Sequence, residues 1–337
     1  MPRDRTRRGA PHASLQSIVF VTLTVLVASV AVLAWASDQF VLGAARVALL
    51  RNVPTLVVGV VIVGFGTSAP EMLVSTLAVV DDETAVAIGN VVGSNLANLS
   101  LLLGLGAILV PLTVESGAVR REAPMVVGAT ALFGLAVQGG ISRWEGFALL
   151  AAMAASVVVV IRRPSSSSQP DDQIDQIGLD VAELAEASEH ELPREVLRTV
   201  IGLIGTVASA QLLLWAALRL AAETGLSNGF VGVTLVAIGT SLPELVTVIQ
   251  SARRGETDLI VGNLLGSNLF YALAVGGLIG VIGGPTVDDR SLTVVATGAA
   301  FVVASIALVT MITGHTVNRL EGIGLIALYA ATIPLLA

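Results

Sequence analysis

Cysteine and lysine are both absent from the 337 residues, aromatic side chains make up 4% and charged ones only 13%. Without thiols there is no disulfide framework and no thiolate chemistry, and the redox compartment cannot be read from the chain. With lysine missing, all eighteen basic residues are arginine, which reads as a base-composition or habitat bias. The scarcity of charge excludes more. A soluble globule needs a polar surface, whereas 54% of this chain is hydrophobic and its mean hydropathy is +0.87. Lipid must be the solvent for most of its exterior. The formal net charge of −7 says little as a total, because the position of each charge matters more.

Crossing ~30 Å of hydrocarbon takes about 20 apolar residues. Ten stretches qualify: 15–37, 53–80, 84–112, 123–139, 143–161, 196–222, 227–250, 257–283, 291–312 and 319–336. The expected fold is therefore an all-α polytopic membrane protein. The longest polar interval, 162–195, holds Ser165 to Ser168 and then the acids Asp171, Asp172, Asp175, Asp180, Glu183, Glu186, Glu189, Glu191 and Glu195. It divides the spans five and five, giving units 1–161 (with a tail, 1–14) and 196–337. A charged, serine-rich stretch of this kind reads as a solvated linker rather than a regulatory calcium site. The first span has an arginine-rich start, and Ala34-Trp35-Ala36 resembles a cleavage site. Its apolar core is nevertheless longer than that of a signal peptide.

The chain repeats itself. Gly66-Thr67-Ser68-Ala69-Pro70-Glu71 recurs as Gly239-Thr240-Ser241-Leu242-Pro243-Glu244, and Gly89-Asn90-Val91-Val92-Gly93-Ser94-Asn95-Leu96 recurs as Gly262-Asn263-Leu264-Leu265-Gly266-Ser267-Asn268-Leu269. Val58-Gly59-Val60 and Val231-Gly232-Val233 share the same offset of 173 residues. Two separate motifs in one register mark an internal duplication. Because each half has an odd number of spans, the second must enter the membrane in the opposite sense, as an inverted repeat. With the N-terminus outside and the 162–195 linker cytoplasmic, Arg46, Arg51, Arg120, Arg121, Arg162, Arg163, Arg194, Arg198, Arg253, Arg254 and Arg319 face the cytoplasm. Only Arg143, Arg219 and Arg290 among the loop arginines then face outward, as the positive-inside rule favours. The tail residues Arg3, Arg5, Arg7 and Arg8 oppose this orientation.

Glu71 and Glu244 are the acids well inside a span. A carboxylate there costs several kcal/mol unless it is paired, protonated or bound to a cation, and no arginine sits near mid-span. A protonated, hydrogen-bonded glutamic acid would explain one such residue. It explains two at equivalent repeat positions less well. Pro70 and Pro243 remove a helical donor and predict a kink, which Gly66 and Gly239 make cheap. The hydroxyls of Thr67, Ser68, Thr240 and Ser241, with carbonyls freed by the kink, complete the all-oxygen surroundings that hard cations prefer. Ser94 and Asn98 share a helical face, and Ser267 repeats Ser94, so these three are further candidate ligands. Asn90, Asn95, Asn263 and Asn268 are expected to brace the broken helices by hydrogen bonding, and Gly89, Gly93, Gly262 and Gly266 to permit close helix approach.

These motifs resemble the cation/calcium exchanger superfamily, and its sodium/calcium exchanger branch in particular. The resemblance runs through the five-plus-five layout and is most specific in the G-T-S-x-P-E and G-N-x-x-G-S-N pairs. It implies ten helices, a central diamond of cation sites and alternating access by sliding of the first and sixth helices. It further implies that calcium binds chiefly to Glu71 and Glu244, with Thr67 and Thr240 as the nearest further metal ligands. Gly64, Ser68, Ala237 and Ser241, together with Ser94, Asn98 and Ser267, would complete the sites. The substrates would be Ca2+ and Na+ (or H+), transported rather than held as cofactors. Nothing implies a nucleic acid or a protein partner beyond the lipid bilayer of the cell membrane. One position departs from the pattern: Tyr271 stands where the second half should repeat Asn98, and where related exchangers often carry Asp or Asn. A phenol adds no charge at neutral pH, so Tyr271 is expected to alter the stoichiometry or the coupling ion.

Two other functional classes remain. A cation channel would pass calcium with no counter-ion. An intramembrane hydrolase would need the two glutamates to differ, as acid and base roles require, whereas a duplicated motif makes them alike. His12, His190 and His315 share no spacing and carry no assigned chemistry. Trp35, Trp144 and Trp215 read as interface anchors.

Overall fold

The computed structural model describes residues 15–51, 68–114, 116–162, 192–284, 286–314 and 316–336. Gly64, Gly66, Thr67, all three histidines and the linker acids from Asp171 to Glu191 lie outside the described residues. The rest is almost entirely helical. In chain order the helices are α1 (Leu15–Leu50), α2 (Ala69–Val80), α3 (Thr84–Leu109), α4 (Ser116–Val137), α5 (Arg143–Arg162), α6 (Leu192–Thr224), α7 (Asn228–Thr240), α8 (Leu242–Arg254), α9 (Thr257–Ile282), α10 (Ser291–Gly314) and α11 (Arg319–Leu336). Two short strands, β1 (Leu112–Thr113) and β2 (Thr316–Val317), pair antiparallel beyond the ends of α3 and α10.

Seven of these helices are long and apolar enough to cross a membrane, and the bent pair α7–α8 makes an eighth span. Helix α2 is a shorter apolar piece, and the residues that would complete its span are not described. Helix α4 carries Arg120, Arg121 and Glu122 in its second turn, so its apolar stretch starts only at Ala123. The lipid-facing character is plain in the exposed side chains: Phe20 and Leu135 are each 72% exposed and Leu320 79%. In water such a surface would aggregate; in hydrocarbon it is the proper exterior. Trp35, Trp144 and Trp215 are also exposed.

Two helices lie at the centre of the bundle. In α3 83% of the apolar window is buried, and in α9 72%, against 11% in α5. Both therefore carry the small and polar residues that a lipid-facing helix would not. Glycines set how closely their neighbours approach. A Cβ added at Gly104 would meet the Gly322 carbonyl of α11, and one at Gly146 would meet the Gly277 carbonyl of α9. Gly104 and Gly277 are repeat equivalents at the 173-residue offset, so one contact, α3 on α11, recurs as α9 on α5. Gly89 and Gly93 press α3 onto the backbone of α7 at Gly229 and Val233. Gly262 and Gly266 meet no described atom, because the segment that repeats α7 falls within 52–67.

The two longest helices, α1 and α6, pack along one another. Ala36 meets Gly205, Phe40 meets Gly202 and Gly43 meets Thr199, so the numbers fall on one helix as they rise on the other and the pair is antiparallel. Two expected boundaries move as a result. Helix α1 runs on to Leu50 instead of ending near residue 37, since its extension has α6 to pack against. Helix α6 begins at Leu192, inside the stretch expected to be linker. Glu195 is consequently not a solvated linker acid. It is 1% exposed, with Oε1 3.1 Å from Arg46 Nη1 and Oε2 3.6 Å from Arg198 Nη1, while Arg198 Nε donates to Gln39 Oε1 at 2.9 Å. A buried acid needs such partners, and here they tie the end of α1 to the start of α6.

Close approach at Gly93 gives a direct test. A methyl group there would overlap the Val233 carbonyl and lie 2.6 Å from Ala237 Cβ, whereas at Gly128 it would meet nothing within 4 Å. Gly93→Ala should cost about 1–3 kcal/mol through overpacking and Gly128→Ala should be neutral or stabilising, measured by thermal unfolding in detergent. Equal effects would contradict the packing.

Candidate functional site

The site begins at the starts of two helices, α2 and α8. Ser68, immediately before α2, has φ −89° and ψ 8°, and Ser241, immediately before α8, has φ −82° and ψ 12°. Both lie in the sparsely populated bridge region common at functional sites. Pro70 and Pro243 follow in the first turn of each helix, where a missing N–H does no harm. In the second half the break is visible as a bend of 46° between α7 and α8. Each helix carries a glutamate, Glu71 or Glu244, in its first turn, where unpaired backbone N–H groups accommodate negative charge.

The neighbouring central helices depart from regular geometry in the same register. In α3 the turns widen to π-helix over Ala97–Leu102, and in α9 over Phe270–Val275, segments related by the 173-residue offset. Asn98 and Tyr271 occupy the second position of these segments. Such π turns often coincide with functional sites, and no residue type in A-N-L-S-L-L or F-Y-A-L-A-V announces them.

Side chains from the two halves cross over. The hydroxyl of Ser241, in the second half, donates to Glu71 Oε1 in the first at 3.1 Å. Ser68, in the first half, reciprocally lies beside Glu244 of the second. Ser241 Oγ is 3.4 Å from Ser94 Oγ, and Ser68 Oγ is 3.4 Å from Ser267 Oγ. These two serine pairs are the same contact made twice, once from each repeat. The two carboxyl groups are themselves near neighbours. Ser68, Glu71, Ser94, Thr240, Ser241, Ser267 and Glu244 are all buried.

Around this centre, Asn90 braces three elements. Its Nδ2 donates to the Glu71 carbonyl at 3.3 Å and to Ser75 Oγ at 3.0 Å, and its Oδ1 accepts from the Thr240 hydroxyl at 3.1 Å. Ser75 was legible in principle, since it stands one turn beyond Glu71 on the same face. Asn95 and Asn268 donate to carbonyls of their own helices, at Val91 and Leu264, and Asn263 Nδ2 has no partner among the described residues, so of the four expected braces Asn90 is the one that links helices. The Ala237 carbonyl already accepts from the Ser241 N–H at 3.0 Å and the Thr240 hydroxyl at 3.2 Å. The carbonyl that loses its helical donor to Pro243 is that of Gly239, four residues earlier.

Several buried polar atoms have no partner: Glu71 Oε2, Glu244 Oε2 and both side-chain atoms of Asn98. An unpartnered buried carboxylate or amide oxygen costs on the order of 1–3 kcal/mol or more, and at least three of these atoms are acceptors. Hydroxyls, an amide and two carboxylates with open oxygens form a donor set for a hard cation. Tyr271 breaks the symmetry. Its hydroxyl is fully buried and donates to Glu244 Oε1 at 2.9 Å, a contact that Asn98 does not reproduce with Glu71. Of the expected ligands, Gly64 and Thr67 lie outside the described residues.

Comparison with known proteins gives the family. The family described as sodium/calcium exchanger protein matches residues 21–162 and 195–336, that is, both halves and not the linker. CaxA of Alkalimonas amylolytica is 34% identical over 90% of this chain and 95% of its own length. Sodium/calcium exchanger MaX1 of Methanosarcina acetivorans is 27% identical over 95% of this chain and 99% of its own. The solved structure of the sodium-calcium exchanger NCX_Mj soaked with 10 mM Na+ and zero Ca2+ superposes with a TM-score of 0.61 at 25% identity, covering 94% of this chain and 99% of that one.

The brace is testable apart from transport. Asn90→Ala leaves the Thr240 and Ser75 hydroxyls and the Glu71 carbonyl short of a partner. It should destabilise the protein by about 1–3 kcal/mol in thermal unfolding in detergent, while Asn95→Ala, which removes one bond within its own helix, should cost less. The reverse order would contradict the assigned role.

Proposed function

This chain belongs to the sodium/calcium exchanger protein family, and from that premise we propose that it is a secondary antiporter exchanging Ca2+ for Na+ by alternating access. The observation that carries the reading is the reciprocal crossing of the two halves at Glu71 and Glu244. Calcium binds between the two carboxylates, with Ser68, Thr67, Thr240, Ser241, Ser94, Asn98 and Ser267 and the carbonyl of Gly64 supplying further oxygens, while the Ala237 carbonyl, already accepting two hydrogen bonds, is not a ligand. Sodium uses the same carboxylates, so the two ions exclude one another and each must leave before the other enters. That exclusion is what couples their fluxes.

The chain forms ten spans in two inverted five-helix repeats, with the N-terminus outside the cell membrane and the 162–195 linker in the cytoplasm. The antiparallel packing of α1 on α6, the first helix of each half, supports this topology, since equivalent helices of an inverted repeat run in opposite directions. So does the Arg46–Glu195 ion pair, since it joins the end of α1 to the start of α6, as a topology with both on one side of the membrane requires. Helices α1 and α6 move as one unit past the site and open it to each side in turn.

Calcium flux into proteoliposomes should require an opposing Na+ gradient, and Glu71→Gln or Glu244→Gln should each reduce it at least about 100-fold, the consequence of losing roughly 3 kcal/mol of ion stabilisation. Flux retained in both variants would refute the ligand assignment. Flux down a calcium gradient with no counter-ion would establish a channel instead.

A further inference from the structure

We infer that Glu195 is a positioning residue for the exchange: it locks α1 to α6 in one register through Arg46 and Arg198, so that the two helices pass the site as a single body. The inference rests on the antiporter reading, in which this pair moves, and names what makes it a pair. It starts from the character of the shared surface. Where α6 meets α1 it presents Gly202 and Gly205 to Phe40 and Ala36, and α1 presents Gly43 to Thr199. Buried hydroxyls along the two helices do not bridge them. Ser29 and Ser37 donate to Leu26 and Ala34 of α1, and Thr206 and Ser209 to Gly202 and Gly205 of α6. Lipid supplies no hydrophobic drive to hold such helices together, and a surface of glycine and alanine has few ridges to stop one sliding on the other.

The register is fixed at one end instead. Glu195 is 1% exposed. Its Oε1 accepts from Arg46 Nη1 at 3.1 Å, and Arg198 Nη1 stands 3.6 Å from its Oε2. Arg198 Nε in turn donates to Gln39 Oε1 at 2.9 Å. Two links therefore cross between the helices, one arginine coming from α1 and the other from α6, and Glu195 joins them. A slide of one residue, about 1.5 Å, would strain both links and leave a buried carboxylate short of its partners, which costs far more than losing a surface pair.

This register controls a contact at the site. Val30 of α1 packs on Gly239, where a Cβ would lie 2.7 Å from Val30 Cγ2, immediately before Thr240 and Ser241. Arg46 is about 24 Å further along α1 at the helical rise per residue, so Glu195 reaches the site only through the helix. An α1 free to slip on α6 would shift Val30 over Gly239 without carrying α6, and the two would no longer open the site together.

The test uses the full-length protein, whose lack of cysteine leaves two introduced thiols as the only ones. A Cβ at Gly205 would lie 2.9 Å from Ala36 Cβ, close to the roughly 3.5–4.5 Å of a disulfide. Ala36→Cys with Gly205→Cys therefore ties α1 to α6 reversibly. In proteoliposomes, Glu195→Gln should lower the initial rate of sodium-driven calcium uptake at least about tenfold. Binding of radiolabelled calcium to the same purified variant in detergent should keep its affinity and capacity. Arg46→Gln, which leaves Glu195 with Arg198, should lower the rate less. Oxidising the introduced thiols should leave exchange intact in the otherwise wild-type chain and restore it in the Glu195→Gln chain, and reductant should reverse that rescue. A disulfide that blocks exchange in the otherwise wild-type chain overturns the inference, whether or not Glu195→Gln folds. So does an undiminished rate in Glu195→Gln, or a loss that calcium binding shares or that the disulfide fails to restore. Those outcomes leave the antiporter reading standing. Calcium flux that needs no counter-ion in the wild type overturns that reading, and the inference with it.

Discussion

Two glutamates lie buried close together inside an apolar helical bundle, and the polar groups around them answer the need to neutralise them. Each charge alone would cost several kcal/mol in such surroundings, and two side by side repel. No buried arginine relieves them among the described residues, in contrast to Glu195, which has two. In the proposed antiporter the relief comes from a bound cation, held reversibly. On the proposed function, a site that is poor at being empty suits exchange, because one ion would leave only as another takes its place.

Duplication is the economical way to build such a cavity. One half of the chain contributes a helix with a glutamate in its first turn, a serine immediately before it, and a widened π turn on the neighbouring central helix. The second half repeats all of this at the same offset. The serine of each half then reaches the glutamate of the other, and the two 3.4 Å serine contacts are copies. The close-packing glycines obey the same rule, Gly104 on α11 and Gly277 against α5. Tyr271 is the place where symmetry is given up, and the asymmetry falls on an uncharged group beside a charged one.

Much of this was legible in the chain. The offset of 173 residues joined Glu71 to Glu244 and Ser94 to Ser267 before any coordinates, and Pro243 foretold the bend. The bracing role of Asn90 followed from its place in the motif. Other features were not legible for physical reasons. The π turns at Ala97–Leu102 and Phe270–Val275 have no composition of their own that would announce them. Glu195 looked like one more acid in a run of nine; only the length of α1, which carries Arg46 beyond the expected span, reveals its partner. The boundary errors at residues 37 and 196 share that cause, since hydropathy marks where lipid ends and not where helix–helix packing does.

The central claim is that one pair of carboxylates serves both substrates in turn. It is tested most directly by equilibrium binding of radiolabelled calcium to the purified protein in detergent, titrated with sodium at several fixed calcium concentrations. If the ions share Glu71 and Glu244, sodium will displace calcium completely, and the sodium needed for half-displacement will rise with each increase in calcium. Calcium that stays bound at saturating sodium, or a half-displacement point that does not move, would contradict the account.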